Sequence, residues 1–166
     1  MNFKDFKSFA NHLKTLPKLE EAALLMEVTR LAELIEDTAK AEIGTYQRDN
    51  MGPFAPWAEL AYFTKQDRLE KGFTENDPLL RTGEMRASIT HEVLHNSPST
   101  FDAVIGSDSE IAEKQELGTS KIPPRAFLGP AMWRNREHIL KSLQGVHFSI
   151  MSGKKYPMSG VIRTNV

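Results

Sequence analysis

The chain has 166 residues, is 40% hydrophobic and 26% charged, and carries a formal net charge of −1. That is the make-up of a soluble globular domain long enough to bury a core. Cysteine is absent, which excludes a disulfide framework or a thiolate metal site and fits a reducing cytosol. No apolar run reaches the roughly 20 residues of a membrane span, and residues 1–9 hold no signal-peptide core, so neither membrane nor secretion is expected.

Charge is unevenly spread. Residues 17–43 hold seven acids and three bases, and residues 44–118 hold thirteen acids and seven bases. Residues 119–166 hold eight bases (Lys121, Arg125, Arg134, Arg136, Lys141, Lys154, Lys155 and Arg163) against Glu137 alone. A solvated surface is one reading. A basic end that meets an acidic face of another subunit, or nucleic acid, is the other. With an overall pI near 6.5, a dedicated DNA-binding domain is not expected.

In chain order, Phe3, Phe6, Ala10, Leu13 and Leu16 recur at three- and four-residue steps. They predict a short amphipathic helix, or an arm, over residues 1–16. Pro17 suits the first turn of a second helix, Glu20 and Glu21 favour its positive end, and Gly44 can stop it. Leu24, Val28, Leu31, Ile35 and Ala39 lie along one side. At 1.5 Å per residue that helix is about 40 Å long and can outrun its own core.

Residues 45–80 are broken by Gly52, Pro53, Pro56, Gly72 and Pro78 and read as a flexible flap. Within it, Pro56 to Leu69 is predicted helical, with Trp57 as a core or flap anchor. From Glu84 the period changes to two. Met85, Ala87, Ile89, His91 and Val93 share one face, and Arg86, Ser88, Thr90 and Glu92 the other. Asn96 to Thr100 is turn chemistry, and Phe101, Ala103 and Ile105 return, giving an antiparallel hairpin over 84–106.

Gln115 to Gly145 reads as a shaped loop between helix signals. Gly118 suits a helix-ending position with φ > 0. Pro123 and Pro124 stiffen the arm that follows, and Pro130 fits the first turn of the next helix. That helix places Met132, Trp133, Ile139, Leu140 and Leu143 on one face covering the hairpin, and Gly145 ends it. Val146, Phe148 and Ile150 alternate as a further strand. The domain is thus 1–145, with 146–166 a C-terminal extension.

His91-Glu92-Val93-Leu94-His95 matches H-E-x-x-H, the zinc-peptidase signature. On a helix, residues i and i+4 share one face and both imidazoles reach one metal, while the glutamate polarises the bound water. On a strand they stand about 13 Å apart and Glu92 faces away. The local period is two, and His138 and His147 offer no supported third ligand. No Gly-rich phosphate loop, serine elbow or carboxylate pair stands out, so an enzyme, a metal and a cofactor are not expected.

Several fragments, taken in order, resemble one family. They are Ala41 to Gln47, Pro56 to Leu60 with Thr64 and Lys65, Pro78 to Arg86 with Ser88 and Ile89, and Val104 to Ser107. Gln115 to Thr119 and Ile122 to Ala131 complete the series. It is similar to that of the tailed-phage virion morphogenesis proteins, called tail-completion, head–tail joining or minor tail components. The chain departs at Ile111, where the family often carries an aromatic. The resemblance implies an α+β fold, with a long N-terminal helix and a C-terminal helix packed on a small antiparallel sheet, a flexible flap and terminal arms. It also implies a non-enzymatic phage or prophage protein of the neck or tail. Its copies form a homo-oligomeric ring that completes the tail or joins it to the head. The implied partners are copies of itself and other neck or tail proteins, with incidental DNA contact. The implied location is the virion, after assembly in the host cytoplasm. Gly118, Pro123, Pro124, Arg125, Phe127 and Leu128 are the expected assembly contact: Phe127 and Leu128 anchor the helix, and Arg125 either meets an acid or is a plain surface arginine. A zinc-dependent hydrolase using His91, Glu92 and His95, and a DNA-contacting accessory protein using the basic C-terminal third, are the alternatives.

Overall fold

One helix, α1 (Phe6–Glu42), is the spine of the molecule. The computed structural model describes residues 4–97 and 100–152. Asp5 caps α1: its Oδ1 accepts from Ser8 N at 2.7 Å while Asp5 N donates to Ser8 Oγ at 3.2 Å, satisfying an orphan amide at the helix start. At 37 residues it is about 55 Å long. Two helices divided at Pro17 are expected from the sequence, but Pro17 lies inside a single one. A mid-helix proline removes one hydrogen bond and costs about 3 kcal/mol. Here Leu13, whose carbonyl loses its donor, and Pro17 are both exposed, so water can serve that carbonyl. Phe3 lies outside the described residues.

α2 (Tyr62–Glu70) is shorter than the helix expected from Pro56. Residues 55–61 stay extended because their backbone groups bond elsewhere. Trp57 N donates to Gln47 O at 2.9 Å, and the carbonyls of Ala58 and Glu59 accept from the Arg125 side chain. The chain then makes one helical turn, α3 (Glu84–Ala87), where a strand start is expected. Ser88 N bonds to Glu84 O at 2.9 Å, and Met85 is still buried. An apolar residue at Met85 suits either period, so the turn hides in the alternation.

The hairpin follows as expected. β1 (Ile89–Ser97) pairs antiparallel with β2 (Thr100–Ser107), from Ile89 opposite Ser107 to Ser97 opposite Thr100, with an irregularity between His95 and Ser97. Pro98 and Ser99, part of the expected turn, lie outside the described residues. Ile89 is buried and His91 and Val93 half-buried, while Thr90, Glu92 and Leu94 are exposed.

After α4 (Glu110–Leu117) and the loop that follows, α5 (Leu128–Ser152) lies antiparallel to α1. Arg134 meets Glu42, Asn135 meets Thr38, Ser142 meets Arg30 and His147 meets Glu20. An end at Gly145, a strand over 146–150 and an extension from 146 are all overturned here. Gly145 does not adopt positive φ, and Val146 is fully buried, so the helix continues as part of the domain through Ser152.

The chain is α+β, with a long N-terminal helix, a C-terminal helix and a small antiparallel sheet. α1 packs against α5 and against both strands. The core gathers Ile35, Ala39 and Ile43 of α1 with Trp57, Met85, Ile89, Ala112, Phe127 and Ala131. Trp133, expected over the sheet, instead lies against Gly52, where an added Cβ would stand 2.1 Å from the indole. Arg136 stacks over the Trp133 ring, its guanidinium carbon 4.3 Å from the ring centroid.

Candidate assembly site

The loop between α4 and α5 is built around three cross-chain locks. The first is at Gly118, which ends α4 with φ 74°. An added Cβ there would meet Pro124 N and Cδ at 2.9 Å, so both its backbone conformation and its surroundings require glycine. Thr119 N donates to Ile122 O at 2.8 Å, and Thr119 Oγ1 accepts from Lys121 N and Ile122 N. Arg125 N then donates to Gln115 O at 2.7 Å, tying the end of the arm back to α4.

Glu116 is the second lock. Its carboxylate accepts from Phe127 N at 2.7 Å, Leu128 N at 3.0 Å and Gly129 N at 3.0 Å. Those amides open α5 and have no intrahelical partner, and a negative charge there also meets the positive end of the helix dipole. α4 thereby caps α5.

The third lock joins the loop to the flap. Arg125 Nε and Nη2 donate to Ala58 O at 3.1 and 2.9 Å, and Nη2 also to Glu59 O at 3.2 Å. Trp57 Nε1 donates to Ala126 O at 2.9 Å, and Gln47 Nε2 to Ala55 O at 2.9 Å. On the far side of the flap, Arg68 holds Thr74 O at 2.7 Å and also Leu80 O. Between flap and loop is a cleft of about 700 Å³, lined by Leu60, Arg68, Met85, Ile111, Ile122 and Pro123 among others.

Of the expected contact residues, Pro123 and Pro124 are exposed and Gly118 and Leu128 half-buried. Of the two expectations for Arg125, neither holds. Arg125 is buried and held by carbonyl oxygens, so it is neither a surface arginine nor an ion-pair partner; burial pulls its pKa below the ordinary arginine value. Phe127 is fully buried and anchors α5 from within the core. Neither is available to another subunit. Glu116, Gln47 and Arg68 are the locking residues that composition and periodicity do not single out. Each acts through a partner remote in sequence or through a backbone carbonyl, and such bonds leave no local spacing signal.

Glu42 lies close to the second lock. Its Oε1 accepts from Arg134 Nε at 3.0 Å, but its buried Oε2 has no partner. Burial raises its pKa to about 7, against the pull of Arg134 and with a push from the Glu116 charge.

The H-E-x-x-H residues stand on β1, as the period predicts. His91 Nδ1 is 2.5 Å from Glu36 Oε2, and His95 Nε2 is 3.1 Å from Glu21 Oε1. The two imidazoles therefore engage different glutamates, several turns apart on α1. Lys40 and His91 together hold the Glu36 carboxyl below its ordinary range. Among the described residues no group of three or more His, Asp or Glu could hold a metal, and no helix is long and apolar enough to cross a membrane. Comparison with protein-family models, curated proteins and solved structures finds no match to this chain.

Proposed function

We propose that this chain is a structural protein of a tailed-phage or prophage neck or tail, whose copies form a ring that completes the tail or joins it to the head. One observation carries the reading. Four residues of the fragments on which the resemblance rests, far apart in sequence, meet in a single frame. Gln47, Trp57, Glu116 and Arg125 all use their side chains to hold backbone of the same chain. A motif set with that use keeps loop geometry, which is what an assembly joint requires. The role is non-catalytic, and the chain belongs in the virion with other neck or tail proteins as its neighbours.

The zinc reading gains no support from histidines already engaged by separate glutamates. The nucleic-acid reading is no better placed. Arg125 is buried, Arg134 pairs with Glu42 and Arg136 stacks on Trp133, while Lys154, Lys155 and Arg163 lie outside the described residues. The test is particle composition. In virions assembled from the genome that encodes the chain, it should be present in a fixed multiple of copies at the neck or tail end. Its deletion should leave heads and tails unjoined or tails incomplete. Absence from purified particles, or stoichiometric zinc retained after dialysis, overturns the reading.

A further inference from the structure

The hairpin is the least finished part of the fold. Among the described residues its sheet has two strands, so each strand uses one edge for its neighbour and leaves the other open to them. No backbone group of the described residues 89–97 or 100–107 is hydrogen-bonded to the chain outside the hairpin. The open edges belong to strands of 9 and 8 residues, long for unprotected edges.

Lysine, arginine and proline, three of the usual guards against edge pairing, are missing too, and the one irregularity in the pairing lies at the His95–Ser97 end. Neither Ile89–Ser97 nor Thr100–Ser107 contains a lysine, an arginine or a proline, although the chain has 21 Lys and Arg and 9 Pro. The face turned from α1 pairs Glu92 with Val104 and Leu94 with Asp102. Val104 is 54% exposed and Leu94 39% exposed. Such a surface favours continuation of the sheet.

We infer that the hairpin is extended by the hairpin of a second copy, with the β1 edge of one chain pairing with the β2 edge of the next. What selects a second copy is that one chain carries both halves of the contact, two free edges of nearly equal length. Strands β1 and β2 run in opposite directions, so copies of like orientation meet antiparallel, in the same pattern as the hairpin itself. A head-to-tail contact of this kind consumes every open edge and closes into a ring when the rotation between copies permits. A two-fold contact between like edges would leave one edge of each copy bare. The inference deepens the ring reading, on which its biological setting rests.

Because the chain has no cysteine, it gives a clean background for cross-linking between full-length copies. Thr90→Cys, Glu92→Cys and Leu94→Cys are each mixed with Asp102→Cys or Val104→Cys and oxidised at concentrations where the chain is oligomeric. At least one β1–β2 mixture should give a disulfide-linked dimer, while each variant alone gives little. Hydrogen exchange of the cysteine-free chain provides a second readout: edge amides of 89–97 and 100–107 should slow by about tenfold or more on assembly. Dimers from β2 variants alone overturn the head-to-tail arrangement, as does an oligomer that forms no mixed cross-link and leaves the edges unprotected. A chain that stays monomeric at all concentrations and in particles also overturns it. If the chain is found as a ring in virions but no edge pair cross-links, this inference fails and the phage reading stands. If edges cross-link but particles lack the chain, the reverse holds.

Discussion

The two ends of α1 live in different worlds. Around Ile35, Ala39 and Ile43 the helix is enclosed by α5, the hairpin and the locked loop. Around Phe6, Leu13 and Leu19 it carries exposed apolar side chains, with Phe6 82% exposed. At the enclosed end, polar groups reach across the chain: Glu116 to the start of α5, Arg125 to the flap, Arg134 to Glu42. Toward the exposed end, the contacts on its surface include Glu20 Oε1 with His147 Nδ1 at 2.5 Å, where water reaches both side chains. Burial makes each polar bond at the enclosed end costly to lose, because the abandoned partner has no water to turn to. The same loss on the exposed half is nearly free.

Substitutions should sort by that difference. The largest effect is expected from Phe127→Ala, which leaves a cavity at the centre of the core and should cost about 3–5 kcal/mol in denaturant unfolding. Glu116→Ala strips three amides of their acceptor and removes a favourable charge at the start of α5. A loss of about 2–3 kcal/mol is expected, and Glu116→Gln, which keeps one acceptor oxygen, should recover part of it. Equal stability of Glu116→Ala and the parent chain would mean that α4 does not cap α5.

Glu42 makes the enclosed end sensitive to pH. Its folded pKa of about 7 is above the ordinary 4.5, so between those values the folded chain holds a proton that the unfolded chain has released. Stability should therefore fall as pH rises through that window, by up to about 3 kcal/mol. Glu42→Gln should flatten the slope and raise stability at pH 8 by about 1–2 kcal/mol. Glu36 acts with the opposite sign. Held low by Lys40 and His91, it stabilises above the ordinary carboxylate range, and that contribution is lost as pH falls through its folded pKa. Unfolding curves at pH 5 and pH 8 for the parent and Glu42→Gln, and from pH 5 down to about pH 3 for the parent and Glu36→Gln, distinguish the two. The smallest effect is expected at the exposed end, where Phe6→Ser and Leu19→Ser should change stability by less than about 0.5 kcal/mol. A larger loss there would show that the distal half is as tightly built as the base.

What could be read from the sequence follows the range of each interaction. The hairpin, the stop before Gly44 and the turn at Gly118 are set by neighbours two to four residues apart, and they are where the pattern puts them. Pro17 and Gly145 misled for a common reason. Each is a local breaker by propensity, yet each lies in a helix held by its partner helix or tolerated by solvent, and tertiary packing overrides a cost of a few kcal/mol. The extended run at 55–61 was illegible because its hydrogen bonds go to Gln47 and Arg125, residues that no window around Trp57 includes. Arg125 shows the same limit from the other side. Its charge and its neighbouring prolines suggest a surface contact, while its actual partners are two carbonyl oxygens on the flap.

The antiparallel run of α5 along α1 has a practical corollary. Glu42 and Arg134 mark one pole, and Glu20 and His147 point toward the other, so the described beginning of α1 and the described end of α5 face the same way. The locked loop faces the opposite way. A reporter coupled to an exposed side chain near the start of α1, such as Lys7, or near the end of α5, such as Met151, would therefore sit at a single pole, clear of the loop and the flap. Two such reporters, one on each helix, would be close enough to exchange energy.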